Sequence, residues 1–256
     1  MPNVGVIRKS EQCGNGTDRR WTKTQGSCSI QIPKPDRDES GPEKVNMGAS
    51  MTSTPSSTPN EQAIPYTVMR GGTSKALFFM KEDIPVDTGV RDSIFLTILA
   101  LPHLREKAGM GRDSLSSKIA IVSRSSDPDA DVDYFFAQGD LKKQRVDTSV
   151  SCGNILSAVG PFAVEAGLVS PTAPTTIVRV LSVNTGVHSE VIVETPKGRV
   201  RYEGETKIDG VPGTAAPVLI NFLHPEGSTT GQVLPTGHPS DWVDGIEISC
   251  VDAAMP

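Results

Sequence analysis

The chain has 256 residues, 36% of them hydrophobic, and a formal net charge of −5 with a pI near 5.4. This length supports one large domain or two modest ones, and the apolar content is enough for a core. The acidic balance argues against nucleic acid or an anionic membrane surface as a partner. No apolar run reaches the roughly 20 residues of a membrane-spanning helix, and the N-terminus has no signal-peptide core. We therefore expect a soluble cytoplasmic protein.

The cysteines and histidines are scattered along the chain. They are Cys13, Cys28, Cys152, Cys250, His103, His188, His224 and His238. They form no CxxC pair and no HExxH motif, so a disulfide framework, a structural zinc site and a catalytic metal are not expected. We predict a protein that works without a metal or other cofactor.

Residues 1–62 are rich in Ser, Thr, Pro, Gly, Asn and charged residues, and they show no sustained apolar period. This composition is typical of disorder, so we expect a disordered tail over 1–62 and a folded domain over 63–256. An excess of Lys and Arg at the start of the tail makes mitochondrial targeting the alternative to a cytoplasmic location. The Gly, Pro and Asn content fits an amphipathic presequence poorly.

The folded part alternates β-rich runs with two helical patterns. The expected elements are a hairpin of 66–70 and 76–80, a helix over 91–101, strands at 118–123 and 131–138, a helix that follows Cys152, and strands at 175–184, 188–195, 199–205, 211–222 and 245–253. Turn residues separate the β-rich runs, and the first helix stops before Pro102. Sheets with few helices indicate the α+β class.

The helix that follows Cys152 is predicted to be buried, because apolar residues cover nearly its whole circumference. These residues are Ile155, Leu156, Ala158, Val159, Phe162, Ala163 and Val164. A helix start offers unpaired N–H groups and a positive dipole end, which favour an anion. There the Cys152 thiol could act as a base or nucleophile, Gly153 would let a carboxylate approach the backbone, and Asn154 could donate a hydrogen bond. A structural cysteine behind an N-cap serine is the alternative.

Lys118 follows Ser116 and Ser117 at the start of an apolar strand. A lysine there would be partly desolvated and could pair with a substrate carboxylate or exchange a proton. The alternative is an ordinary surface lysine at a strand end.

A third polar segment, MRGGTSK, spans residues 69–75. It lacks the GxxxxGK[ST] spacing, so a nucleotide-binding P-loop is not expected. Its glycines predict a turn whose N–H groups, with Arg70, Thr73, Ser74 and Lys75, could bind carboxylates. A plain tight turn is the alternative.

These segments belong to an ordered series of motifs: MRGGTSKALFF, SSKIAIVS, ADVDYFFAQ, SCGNILSAVGPFAVEAGLV, IDGVPGTAAPV and LPTG. From about residue 65 to residue 256 the series resembles the PrpF family, whose members isomerise aconitate-like acids, the fungal aconitate isomerases of the itaconate route among them. The resemblance implies the diaminopimelate epimerase fold, in which two halves, each a β-roll around a central helix, enclose the site. It implies that Lys118 and Cys152 are catalytic. It also implies a second half beyond residue 256, so that the chain would be a fragment or a truncated relative.

The resemblance and the three polar segments together predict a cofactor-independent isomerase of an aconitate-like tricarboxylate. One residue would remove an allylic proton, the carboxylates would stabilise a dienolate, and the proton would return at another carbon. Either Cys152 or Lys118 could be the base. One alternative is a two-cysteine amino-acid racemase or epimerase, for which Cys250 is the available second cysteine. Another is a truncated relative that binds a metabolite or an aconitase-like enzyme without catalysis. A missing half would expose apolar surface and favour a homodimer.

Overall fold

The computed structural model describes residues 24–31, 61–227 and 229–253. The strands are β1, Thr24–Gln31; β2, Glu61–Gly71; β3, Ser74–Met80; β4, Lys118–Arg124; β5, Val132–Asp140; β6, Arg145–Asp147; β7, Thr175–Ser182; β8, Val187–Glu194; β9, Val218–Leu223; β10, Asp241–Val243; and β11, Ile246–Ile248. The α-helices are α1, Thr88–Ala100, and α2, Gly153–Glu165; a π-helical turn spans Leu104–Ala108, and short 3-10 helices span Lys81–Asp83 and Pro196–Gly198. Neither helix is long and apolar enough to cross a bilayer.

One mixed sheet holds β1 to β9. Its order is β1-β2-β3-β4-β5-β7-β8-β9, with β6 beside β5, while β10 and β11 pair only with each other. The neighbours β3 and β4 run parallel, as do β5 and β7, and the other neighbours run antiparallel. A mixed sheet with two helices confirms the α+β class.

The sheet curves around α2. The helix contacts β2, β3, β4, β5, β7, β8 and β9, and a single helix touches strands from both sides of a long sheet only when the sheet wraps around it. Eight of the nine residues from Ile155 to Ala163 in α2 are buried, and Val164 is partly buried. The prediction of a buried central helix is confirmed.

The two faces of the sheet carry separate apolar clusters. On the α2 face, Ala76, Ala120 and Phe136 pack with the helix. On the opposite face, Leu77 and Ile119 pack with α1. Side chains alternate between the two faces along a strand, so residues two positions apart lie on the same face. A polar residue two positions from a member of one cluster therefore projects on the same face as that cluster.

The disorder expected for residues 1–62 is wrong for 24–31, which form β1 along the edge of β2. An edge strand offers a row of unpaired N–H and C=O groups, so a segment with little apolar content can still add to it. β2 itself begins at Glu61, before the expected domain boundary. The rest of the tail, including the segment considered for targeting, lies outside the described residues.

The strand expected at 199–205 is also wrong. Val200 and Tyr202 do pack against the α2 cluster. However, β9 occupies the position beside β8, so this segment has no free ladder to join. It makes isolated backbone hydrogen bonds instead, such as Arg201 N to Glu194 O at 2.9 Å.

Candidate active site

Cys152 is the residue from which α2 starts. Its backbone is extended (φ −139°, ψ 105°), and its carbonyl accepts the first helical hydrogen bond from Leu156 N at 2.9 Å. The residue is 9% exposed, its thiol is free, and its side chain makes no capping hydrogen bond. The thiol therefore lies at the point where α2 presents its first N–H groups.

Tyr134 of β5 contacts the start of α2. Its hydroxyl donates a hydrogen bond to the Cys152 carbonyl oxygen at 3.3 Å. Burial raises the pKa of Tyr134 well above its ordinary value, and a negative charge at Cys152 raises it further. The hydroxyl is therefore a stable donor.

Ser151 does not cap the helix. Its hydroxyl lies 3.0 Å from the hydroxyl of Ser182 on β7, and the N-cap position belongs to Cys152. The alternative placed Ser151 at the N-cap, and this placement is wrong because Cys152 occupies that position.

The turn between β2 and β3 packs directly on the first turn of α2. A Cβ at Gly71 would lie 2.1 Å from the backbone oxygen of Asn154, and one at Gly72 (φ +52°) would lie 2.2 Å from Asn154 Oδ1. Asn154 Nδ2 donates a hydrogen bond to Thr73 Oγ1 at 3.0 Å. Two of the three predicted polar segments thus meet, and the amide of Asn154 and the hydroxyl of Thr73 join them.

Ser74 faces α2 beside this junction. It pairs with Gly71 in the hairpin and lies on the same face as Ala76. The residue is 1% exposed, and within the described part of the chain its hydroxyl has no hydrogen-bond partner. Because buried hydroxyls are nearly always paired, this unused donor and acceptor beside the start of α2 is unusual.

Lys118 is the first residue of β4 and points to the α2 face. It lies beside Ala76 of β3 and opposite Gln138 of β5. Its Nζ donates a hydrogen bond to Gln138 Oε1 at 2.7 Å and lies 5.3 Å from the centroid of the Phe136 ring. Both contacts are with uncharged groups.

A short series of contacts connects Lys118 with the start of α2. The ring of Phe136, under the Lys118 amine, lies 6.4 Å from the ring of Tyr134, whose hydroxyl binds the Cys152 carbonyl. Phe136, Tyr134 and Cys152 belong to the same buried cluster. Lys118, Ser74 and Cys152 therefore lie on the side of the sheet that packs on α2.

Arg70 and Lys75 project from the opposite face. They pair across the hairpin, two positions from Val68 and Leu77 of the α1 cluster. Lys75 Nζ donates a hydrogen bond to Ala108 O of the π-helical turn at 2.9 Å. Burial lowers the pKa of Lys75, and the positive charges of Arg70 and Arg112 lower it further. The structure thus separates these two cations from the face that holds Lys118.

Ser116 and Ser117 are buried within the loop that precedes β4. Ser116 Oγ donates to Asp113 Oδ1 at 2.9 Å, and Ser117 Oγ donates to the Asp113 carbonyl at 2.7 Å. The loop is also tied to β3, because Lys75 N donates to Leu115 O at 2.8 Å. The two hydroxyls therefore stabilise the conformation of the loop that leads into Lys118.

Sequence reasoning missed Tyr134, Phe136 and Gln138 as neighbours of the site. The signal was present, because period-two alternation along β5 puts these three side chains on one face. What the pattern lacked was the register that places Gln138 opposite Lys118.

A separate cavity of about 540 Å³ lies near the turn between β7 and β8, with Arg179, His188 and His224 among its lining residues. Because Val180 and Ser189 are buried in the sheet, the alternating Arg179 and His188 project away from α2. None of the predicted site residues lines this cavity. Across the described ranges, no three His, Cys, Asp or Glu side chains are grouped so as to hold a metal ion.

The chain is similar to several known proteins. YbhH of Escherichia coli strain K12 is 51% identical over 194 residues, which cover 75% of this chain and 55% of that protein. The 4-oxalomesaconate tautomerase of Pseudomonas putida is 46% identical over 194 residues, covering 75% and 54% of the two chains. A crystal structure of methylitaconate-delta-isomerase matches with a TM-score of 0.65 and 43% identity, over 75% of this chain and 51% of that one.

The chain thus spans about half the length of the curated relatives it matches. A family model described as PrpF protein matches residues 61–256, which are most of the chain. The chain therefore belongs to the PrpF protein family.

Proposed function

We propose that the protein is an isomerase of aconitate-like tricarboxylates that transfers a proton without a cofactor. The observation that carries this proposal is the position of Lys118, whose amine faces α2 and is held by the uncharged Gln138 and Phe136. An amine so placed can exchange a proton with a bound acid. Two relatives support an unsaturated carboxylic acid as the substrate, since oxalomesaconate and methylitaconate both belong to that class.

The proposed reaction moves one hydrogen and one double bond. A base takes the proton from a carbon next to the C=C bond, and the electron pair of that C–H bond delocalises through the double bond into a carboxylate. The resulting dienolate accepts a proton at the other end of the system, so the double bond shifts. Substrate and product contain the same atoms at the same overall oxidation level, and donors around the carboxylates stabilise the charge that develops.

In this proposal Lys118 and Cys152 supply the acid and base, because Cys152 begins α2 and the Lys118 side chain projects from β4 on the face of the sheet that packs on α2. Backbone N–H groups at Gly153 and Asn154 and the unpaired hydroxyl of Ser74 bind substrate carboxylates.

The other predicted substrate-binding residues act less directly in this proposal. Arg70 and Lys75 add positive potential from the opposite face. Thr73, Ser116 and Ser117 hold the two loops in place through the hydrogen bonds described above.

We further infer that residues 61–253 form the first half of a diaminopimelate epimerase-type fold. The curved sheet around α2 and the coverage of only 51% of the methylitaconate-delta-isomerase chain support this inference. A natural polypeptide with an intact mass well above 27.2 kDa would agree with a second half, whereas a natural mass of 27.2 kDa would identify a truncated relative.

Deuterium exchange tests the activity. The purified protein is incubated in D2O with cis-aconitate, trans-aconitate, 2-methylaconitate or 4-oxalomesaconate, and the acids are followed by proton NMR. We expect deuterium to enter at least one acid and a shifted double bond to appear with it. Exchange into none of the four would reject the proposal. Exchange into diaminopimelate or proline alone would favour the racemase instead.

A further inference from the structure

Gln138 has a fixed orientation opposite Lys118. Its Nε2 donates to the Ser117 carbonyl at 2.9 Å and lies 3.4 Å from the Gly139 carbonyl. Because carbonyl oxygens only accept hydrogen bonds, the NH2 end of the amide must face them, and Oε1 must face the Lys118 amine. Two backbone carbonyls thus make Gln138 an obligatory acceptor toward Lys118.

An obligatory acceptor controls where the amine lone pair points. A neutral lysine amine has two N–H bonds and one lone pair, and only an N–H can meet Oε1. The lone pair must then point away from Gln138. On another side of the amine lies the ring of Phe136, whose face attracts a cation without carrying a full charge.

The titratable groups on this face include Cys152 at the start of α2 and Tyr134 of β5, and Asp147 of β6 pairs with Gln138 in register. The Asp147 carboxylate accepts hydrogen bonds from the hydroxyl and amide of Ser149 and lies 3.8 Å from Arg145. Lys118 donates its hydrogen bond to the neutral amide of Gln138 and not to the Asp147 carboxylate.

We propose that Gln138 is a positioning residue for the isomerisation, which holds the Lys118 amine through a neutral acceptor and directs its lone pair toward the bound acid. This inference rests on the proposed function for its role in catalysis. The effect of Gln138 on the reactivity of Lys118 requires no substrate, so it can be measured even if the activity proposal fails.

Trace acetylation measures that reactivity. The chain is treated with limiting acetic anhydride between pH 7 and 9, and mass spectrometry gives the labelling of Lys118 relative to the exposed Lys142. In Gln138→Glu, a carboxylate favours the charged amine, so we expect relative labelling to fall about tenfold at pH 8. In Gln138→Met, which keeps the length but removes the acceptor, we expect relative labelling to rise severalfold.

Gln144→Glu is the matched control. Gln144 is exposed in the turn between β5 and β6, and its Nε2 binds Leu141 O. The control should leave the labelling ratio unchanged. Unchanged labelling in both Gln138 variants, or a change in the same direction in both, would overturn the proposal. If Gln138→Glu does not fold, by circular dichroism, the Gln138→Met result decides alone.

Activity supplies the second measurement. For an active protein, Gln138→Met should lower kcat more than it raises KM, because the substrate still binds while the base is poorly directed. Gln138→Glu should shift the pH–rate profile to higher pH. A purely packing role for Gln138 would leave that profile in place, and an unshifted profile in a folded variant would contradict the inference.

Discussion

The backbone at Gly71 touches the backbone of Asn154 so closely that an added Cβ would lie 2.1 Å from the Asn154 oxygen. Neither partner can move away easily, because one belongs to the sheet and the other to the first turn of α2. We predict that Gly71→Ala lowers the free energy of unfolding by about 3 kcal/mol, as an overpacked site does.

Gly89→Ala is the matched control for this substitution. Its Cβ would make an ordinary contact of 3.4 Å with Asp87 Oδ1 at the start of α1. We expect it to be neutral or to stabilise the protein by about 0.5 kcal/mol, because alanine restricts the unfolded chain. Urea denaturation of both variants checks the difference, and equal midpoints would show that the Gly71 contact is unimportant.

Lys118→Met should remove proton transfer while keeping most of the volume of the side chain. We predict that deuterium exchange into the substrate falls by at least about 10²-fold, the usual contribution of a general acid or base. Lys142→Met, at an exposed turn, should exchange at the wild-type rate. Equal rates in the two variants would exclude Lys118 from the chemistry.

Cys152→Ser replaces the thiol with a hydroxyl, which ionises far less readily. If the thiol carries one of the two proton transfers, exchange should fall by about 10²-fold with little change in the thermal midpoint. A variant that is destabilised but exchanges at the wild-type rate would assign Cys152 to packing.

Tyr134→Phe removes the hydroxyl that donates to the Cys152 carbonyl. That carbonyl keeps its bond from Leu156 N, so we predict a loss of about 1 kcal/mol of unfolding free energy. Burial raises the pKa of Tyr134 in the folded protein above its unfolded value. Its contribution should therefore be complete below about pH 10 and decline above it. Denaturant curves at pH 7 and pH 9 should give the same difference between wild type and variant.

Asp131 and Arg179 form an ion pair with a distance of 2.8 Å between β7 and the residue just before β5. Burial alone would raise the pKa of Asp131, but hydrogen bonds and charge from Arg179 outweigh it and lower the pKa. A carboxyl with a depressed folded pKa contributes stability above its unfolded pKa and loses it as the pH falls through the folded value.

We therefore predict that Asp131→Asn slightly lowers the thermal midpoint at pH 7, and that the difference from wild type shrinks below about pH 4. The change should be small because Arg179 is largely exposed. Asp129→Asn, at an exposed neighbour, should have a smaller effect. A difference that persists unchanged at pH 2 would contradict this origin.

Local patterns in the sequence predicted the elements well. Two β-rich runs around a glycine turn predicted the β2–β3 hairpin, period-two alternation predicted β5, and apolar residues around the circumference of α2 predicted its burial. The strand expected at 199–205 shows the limit of such patterns, because Val200 and Tyr202 alternate and pack inward although β9 takes the place in the ladder.

The sequence indicated only part of how the predicted site residues are arranged. The turn that contains Thr73 does pack on the start of α2, but Arg70 and Lys75 lie on the opposite face from Ser74. Alternation along β3 contains that information, whereas the pairing of Lys118 with Gln138 depends on strand register. Register depends on the burial of a whole face, which a short motif does not encode.

The hydrogen bond between Thr73 and Asn154 joins residues 81 positions apart. Together with the parallel pairing of β3 and β4, it means that much of the architecture depends on contacts between distant parts of the polypeptide. Proteins with many such contacts fold slowly, because the chain loses loop-closure entropy before the stabilising long-range contacts form. We therefore expect the packing of the β2–β3 turn on α2 to form late during folding, after the hairpins.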